Sequence, residues 1–332
     1  MRSLLERKLI VVTGKGGAGK STLSAALALA ASRAGVCTIV VELGGRAVVP
    51  GLLEADAERG GARARGRAGG ASRSGGAGEE EVQIGDALWS TSIDPDRALL
   101  DWLGIVGGRR AAALLASRAS FRYLAAAAPG ANDLLALVRI WELTRGERWE
   151  RGGRRYDLVI VDAPATGHAL AMLRAPSTFG AIARIGPIAT QAEGVRALLA
   201  DPQRTGYLAV ALPSEMAVTE TLELADAMRA EIGRQPDWVA VNATYPRRFT
   251  PAELDRLARI ADPRVKPALD AARFMHERGL RQRAQIERLR RTGLPLLTLP
   301  FVLRTPMDRA AIELLADRLT RRLGAPAPGT LR

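Results

Sequence analysis

The stretch "VVTGKGGAGKSTL", Val11 to Leu23, limits what this chain can fold into more than any other. Gly14-Lys15-Gly16-Gly17-Ala18-Gly19-Lys20-Ser21 fits the pattern G-x-x-x-x-G-K-[ST]. Such a loop needs a strand before it and a helix after it. Its glycines let successive backbone N–H groups curl round a phosphate, and the helix N-terminus adds partial positive charge. Both flanks are present: the apolar run Lys8–Thr13 reads as a strand, and an Ala- and Leu-rich helix starts near Ser21. Lys20 then reaches the β- and γ-phosphates, and the Ser21 hydroxyl is a candidate Mg²⁺ ligand. Gly14, Lys15, Gly16, Gly17, Ala18, Gly19, Lys20, Ser21 and Thr22 form the candidate ATP-binding set.

Short apolar runs alternate with helix-like stretches along the chain. Strands are expected at Lys8–Thr13, Thr38–Val41, Leu88–Ile93, Leu158–Val161, Tyr207–Leu212, Trp238–Asn242 and Leu296–Leu299. Most are continuous rather than alternating, as for strands covered on both faces. The fold class is α/β: a mainly parallel sheet of about seven or eight strands, helices on both faces, in one domain over 1–332. The last helix is expected to start with Thr305 as N-cap, Pro306 in the first turn and Asp308 behind it. Two regions depart from the alternation. Glu54–Gln83 is rich in Gly, Ala and Arg with almost no large apolar residue, and reads as a disordered loop. Residues 97–150, continuing in kind over 174–205, read as a helical layer on one side of the sheet and a candidate client surface.

Composition narrows the classes. No apolar run approaches the ~20 residues of a membrane span, and the first one, Leu9 to Val12, leads straight into the glycine loop, unlike a signal peptide. The expectation is a cytoplasmic protein. One cysteine, Cys37, and two histidines argue against a cysteine-rich or His-based metal site. The net charge of +13 comes from arginines scattered along the chain. The densest cluster, Glu277 to Arg291, has helical spacing and no RNA-stacking aromatics, so it reads as a solvated helix face rather than a nucleic-acid surface.

The loop holds two of the four lysines in a chain with 44 arginines. G-K-G-G-x-G-K-[ST] resembles the deviant phosphate loop of the dimeric ATPases that include the nitrogenase iron protein and the division-site ATPases. That resemblance implies that Lys15 crosses a dimer interface to the partner's ATP. A second cation there would act like an arginine finger supplied in trans.

"YDLVIVDAPATGHALAMLRAP", Tyr156 to Pro176, carries an apolar strand ending in Asp162. An acid there can hold a Mg²⁺-bound water opposite the phosphate loop, and "PATGH" reads as a loop that senses the γ-phosphate. With the loop, this segment resembles the family of arsenite-pump and guided-entry (tail-anchored protein targeting) ATPases. Further segments are similar along most of the chain. They are "SIDPDRALLDWL" (Ser92–Leu103), "APGANDLLALVRIWEL" with Asn132-Asp133 in place of an acidic pair, and "ALPSEMAVTETLELADAM", read as ending in Glu-Thr before a helix. The resemblance implies that Asn242 in "WVAVNATYP" contacts adenine and that Pro300 and Phe301 in "LTLPFVLRTP" pack over the base. It also implies ATP and Mg²⁺ as cofactors, a homodimer or a heterodimer with a paralogue, and a hydrophobic protein client. A single cysteine argues against arsenite, and the C-x-x-C clasp of the eukaryotic guided-entry ATPases is absent.

"TIVVELGGRAVV", Thr38 to Val49, departs from the family. The first switch, D-P-A-H-S, would start at Gly44, so its water-orienting aspartate is missing. The nearest carboxylate is Glu42. Either Glu42 holds Mg²⁺ or reaches the water and supports slow turnover, or the subunit needs a partner with an intact switch. Lys15, Lys20, Asp162 and Glu42 are thus the candidate catalytic residues, with Ser21 and Asp162 as metal ligands. Two further functional classes stay open: a hydrolysis-deficient scaffold or regulatory subunit, and a small-molecule phosphotransferase, which Lys15 and "PATGH" fit less well.

Overall fold

The computed structural model describes residues 4–44, 47–53, 80–94, 130–149, 152–182, 186–260 and 262–323. β1 (Leu9–Gly14) leads into α1 (Lys20–Arg33), followed by β2 (Thr38–Leu43), α2 (Val48–Leu53), β3 (Val82–Gly85) and β4 (Leu88–Ile93). Then come α3 (Ala131–Leu143), β5 (Leu158–Ala165), α4 (Thr166–Ile182), α5 (Pro187–Ala200), β6 (Thr205–Ala211) and α6 (Glu215–Ile232). β7 (Trp238–Thr244), α7 (Pro251–Ala258), α8 (Lys266–Arg290), β8 (Leu296–Pro300) and α9 (Arg309–Leu323) complete the order.

The eight strands form one sheet in the order β3-β4-β2-β5-β1-β6-β7-β8. All seven expected strands are present. β3, which sequence reading missed, pairs antiparallel with β4 at the edge, while the other pairings are parallel. β1 is central because its residues are apolar on both faces. Leu9 and Val11 enter a core with α3, α4, α5 and α6, and Ile10 and Val12 enter one with α1, α2 and α9. α1 is buried from Leu23 to Ala31, all round its axis, which its small Ala and Ser residues permit between sheet and α9.

Three expectations need correction. The last helix is capped by Asp308, not Thr305: Asp308 Oδ1 accepts from Ala311 N at 2.8 Å. "PATGH" is not a loop. β5 runs on through Pro164 to Ala165, where the ladder with β1 resumes opposite Gly14 after an irregularity, and α4 starts at Thr166. A proline is tolerated at such an irregularity because its missing N–H is not needed there. Nor does "TET" precede a helix, since Glu220 lies inside α6. Of the expected helical layer, α3, α4 and α5 pack against one another on one face of the sheet. Residues 95–129 lie outside the described residues, as do 54–79 of the expected low-complexity loop.

The end of that loop segment is anchored. Val82 and Gln83 belong to β3, and Glu81 joins a buried cluster. Its Oε1 accepts from Arg148 Nη2 at 2.6 Å and Arg139 Nη2 at 3.3 Å, and its Oε2 from Tyr156 OH at 2.7 Å. Glu142 of α3, fully buried, accepts from Arg139 Nη1 and Arg148 Nε, both at 2.6 Å, and from Trp149 N at 3.0 Å. Burial works against the charge on Arg148, but Glu81 and Glu142 outweigh it and raise its pKa. Removing Glu142 leaves the buried Arg148 to share Glu81 with Arg139, so positive charge there is under-compensated. Glu142→Ala should therefore destabilise the protein by about 3–5 kcal/mol in denaturant melts. A change below about 1 kcal/mol would show that Arg148 finds solvent instead.

Candidate nucleotide-binding site

The site forms where the C-terminal ends of β1, β5 and β2 meet. Register places Val12, Asp162 and Glu42 in one row across these strands. That row is the topological switch point, because the chain leaves β1 towards β2 on one side and returns past it from β5 to β6.

The phosphate loop is shaped by close approach. Gly14 has φ 143°, and a Cβ there would lie 2.2 Å from the carbonyl oxygen of Val210 in β6. No other residue type fits. α1 starts after Gly19 at φ 94° without a side-chain cap, so its first N–H groups are left for another acceptor. Lys20 Nζ folds back over the loop and donates to Gly14 O at 3.1 Å and Lys15 O at 3.3 Å. Burial lowers the Lys20 pKa, and Asp162 partly restores it.

Asp162 sits under the start of α1. Ser21 Oγ donates to its Oδ2 at 2.6 Å, and Ser24 Oγ to its Oδ1 at 3.3 Å. Burial pushes the carboxyl above the usual aspartate range, and the two hydroxyls and Lys20 offset this only in part. Ser24 was not singled out from the sequence, although its spacing three residues after Ser21 puts it on the same helix face. A hydroxyl and an under-compensated carboxylate side by side are a donor set that suits a hard divalent cation.

Glu42, the third member of the row, is 3% exposed. Its Oε1 accepts from Val48 N at 2.7 Å, and both its oxygens accept from Val49 N, at 3.1 and 3.2 Å. It thus serves the N–H groups that open α2. Burial raises its pKa, the two backbone donors counter that, and Asp162 adds to it. Gly44 follows at φ 90°.

Lys15 points elsewhere. Its Nζ lies 2.6 Å from Glu220 Oε1 on α6, with side chains 36% and 34% exposed. Glu220 belongs to the Glu-Thr of the family-like stretch, but nothing in that stretch shows its pairing with Lys15. Its pairing depends on how α6 lies beside the loop. On the far side, Asn242 Nδ2 donates to Ala18 O at 2.9 Å, so this residue reaches the loop itself. Pro300 and Phe301 line a neighbouring cleft of about 370 Å³ with Tyr245, Leu303, Arg318 and Arg322. Phe301 and Tyr245 have ring centroids 5.1 Å apart. His168, in the first turn of α4, is exposed and acts electrostatically on Asp133 of α3, whose pKa burial raises.

This geometry agrees with the comparisons. The family model of the CobQ/CobB/MinD/ParA nucleotide-binding domain matches residues 9–326. ATPase BagA of Mycobacterium tuberculosis is 31% identical over 264 residues, 76% of this chain and 69% of that protein. ATPase GET3 of Podospora anserina is 26% identical over 239 residues, covering 70% and 61% of the two chains. ATPase ARSA1 of Chlamydomonas reinhardtii is 23% identical over 282 residues, 68% of this chain and 34% of its own.

Asp162 yields a test. A carboxyl whose pKa is raised on folding favours the protonated native state, so it subtracts stability as pH rises above the unfolded value of about 3.9. At neutral pH Asp162→Asn should leave the melting temperature of the nucleotide-free protein unchanged or higher, the difference shrinking as pH falls into the carboxyl range. The same change should remove the stabilisation given by Mg·ATP. A variant that melts lower without nucleotide would make Asp162 a structural residue.

The glycine-shaped loop between β1 and α1, the hydroxyl–carboxylate pair beneath it and the match over residues 9–326 agree: this chain belongs to the CobQ/CobB/MinD/ParA nucleotide-binding family, among ATPases of the arsenite-pump and guided-entry type.

Proposed function

We propose that the chain is a nucleotide-switched ATPase that binds Mg·ATP at Gly14–Thr22 and turns it over slowly or with a partner's help. The observation that carries this is the Ser21–Asp162 contact at 2.6 Å beneath a loop whose Lys20 donates to two of its own backbone carbonyls. Lys20 exchanges those carbonyls for the β- and γ-phosphates. Ser21 and Asp162 are the residues to hold Mg²⁺, which supplies positive charge against the phosphate oxygens.

Lys15 supports a dimer, homomeric or with a paralogue. An ion pair this exposed is worth about 0–1 kcal/mol, so Lys15 leaves Glu220 readily for a nucleotide on a second subunit. The water-orienting step is weak. Gly44 has no side chain, and the Glu42 carboxylate is committed to Val48 and Val49. That commitment also favours the second reading, a hydrolysis-deficient scaffold or regulatory subunit paired with an intact paralogue.

The family resemblance supports a client at the helical layer, for which a hydrophobic protein segment is our choice. The single cysteine speaks against arsenite. No helix among the described residues is long and apolar enough to cross a membrane, and a cytoplasmic site of action fits the proposal.

Single-turnover hydrolysis by the purified chain separates the two readings. Slow turnover that Glu42→Gln abolishes supports an acting Glu42; no turnover without an added paralogue supports the scaffold. Fast turnover that survives Glu42→Gln would sink both. In parallel, Lys15→Ala should spare ATP binding but lose ATP-dependent dimerisation, and Glu220→Gln should leave ATP affinity within about twofold. Equal loss of ATP affinity in Lys15→Ala and Lys20→Ala would make Lys15 an ordinary loop residue.

A further inference from the structure

β8 is the last strand of the sheet, and no strand among the described residues pairs with its outer side. Along a strand the backbone groups alternate, one residue bonding to the neighbouring strand and the next facing away. Val239 N donates to Pro295 O, and Thr244 Oγ1 donates to Leu299 O. Pro295, Leu297 and Leu299 therefore bond towards β7, and the N–H and C=O groups of Leu296 and Thr298 face outwards. Proteins usually blunt such an edge with charge, proline or a cover. Pro300 closes one end of this one, but Thr298 lines the cleft of about 370 Å³.

The charge of that cleft is one-sided. Arg248, in the segment after β7, and Arg318 and Arg322 of α9 line it, and no carboxylate does. None of the three arginines has an ion pair or hydrogen bond among the described residues. Arg309 of the same helix, by contrast, is paired with Glu313 at 3.2 Å. The apolar walls are Met275 of α8, Phe301, 39% exposed, and Leu303, 75% exposed. Large apolar side chains left in water beside unpaired cations mark a contact surface. Neither Asn242 nor the phosphate loop lines the cleft, so a ligand there adds to the base contacts rather than replacing them.

We propose that the β8 edge and this cleft bind an extended acidic segment of a partner protein as an added strand. The main chain of the segment pairs with Leu296 and Thr298, and its carboxylates meet the three arginines. A second copy of this chain is not the occupant, because edge-to-edge pairing would bring three unpaired arginines from each copy together. A nucleic acid satisfies the arginines but has no alternating N–H and C=O groups for the edge. The proposal is independent of whether the chain hydrolyses ATP.

The probe is a fluorescently labelled hexapeptide of alternating Thr and Glu, titrated into the full chain and read by anisotropy. Hydrogen exchange over Leu296–Pro300 is measured in parallel. Binding should weaken as salt is raised, and exchange over β8 should slow when the peptide is bound. Arg318→Ala and Arg322→Ala should each lower affinity on the order of tenfold, as for one charge-assisted hydrogen bond lost. Thr298→Pro removes an outward N–H, which edge strands tolerate, and should lower affinity similarly. If that variant fails to fold, the same peptide with alternate residues N-methylated makes the test from the other side, since it loses donors and keeps its charge. An N-methylated peptide that binds as well as the parent would overturn the proposal, as would no binding up to about 1 mM. Tighter binding of a short single-stranded oligonucleotide would assign the arginines to nucleic acid instead. Displacement of the peptide by Mg·ATP at the concentration that fills the phosphate loop would make the cleft part of the nucleotide site, and the proposal would fail there too.

Discussion

Charge buried without full compensation governs this structure. Asp162, Glu42 and Lys20 sit at or beside the C-terminal ends of three central strands, under a helix buried from Leu23 to Ala31. Desolvation works against the charged form of each of them. Their partners are local substitutes: two loop carbonyls for Lys20, two hydroxyls for Asp162, two N–H groups of α2 for Glu42. A packed interior does not keep such groups for stability, because an apolar replacement would cost less. Their retention together at a switch point marks a binding site.

The strands were legible because this sheet is covered on both faces. Continuous apolar runs such as Leu158–Val161, too short for a buried helix, fit strands whose two faces enter two cores. The antiparallel edge strand β3 was not legible. Its residues are partly exposed, and it gains order from pairing with β4 and from Glu81, whose partners lie on α3 and around Arg148 and Tyr156. Nothing local in "EEEVQIG" announces those contacts.

The site divides in the same way. Gly14, Lys20, Ser21 and Asp162 are fixed by motif and strand end, and they meet as the motif requires. Glu220 and Ser24 enter the site only once the elements pack. Ser24 has the right helix spacing, whereas Glu220 lies on a helix far along the chain whose sequence does not show its pairing with Lys15. "PATGH" misled for a related reason. Pro and Gly ordinarily punctuate elements, but here Pro164 sits at an irregularity of the ladder and β5 continues past it to pair Ala165 with Gly14.

The two lysines of the loop end in different electrostatic settings, and that difference suits the two tasks proposed for them. Lys20 is partly buried and bonded to its own loop, where low effective dielectric makes its interactions strong and local. Lys15 is a third exposed and tied to a side chain on α6, where solvent and salt weaken the tie. In the proposed function, retention of a phosphate and communication with a second subunit can therefore be tuned independently. They are still joined through the core. α6, which carries Glu220, packs against α4, and α4 begins directly after the strand that ends beyond Asp162. A change in what Asp162 binds thus meets a continuous packed route to the residue that restrains Lys15. Close packing transmits small shifts along such a route because it has no voids in which to absorb them.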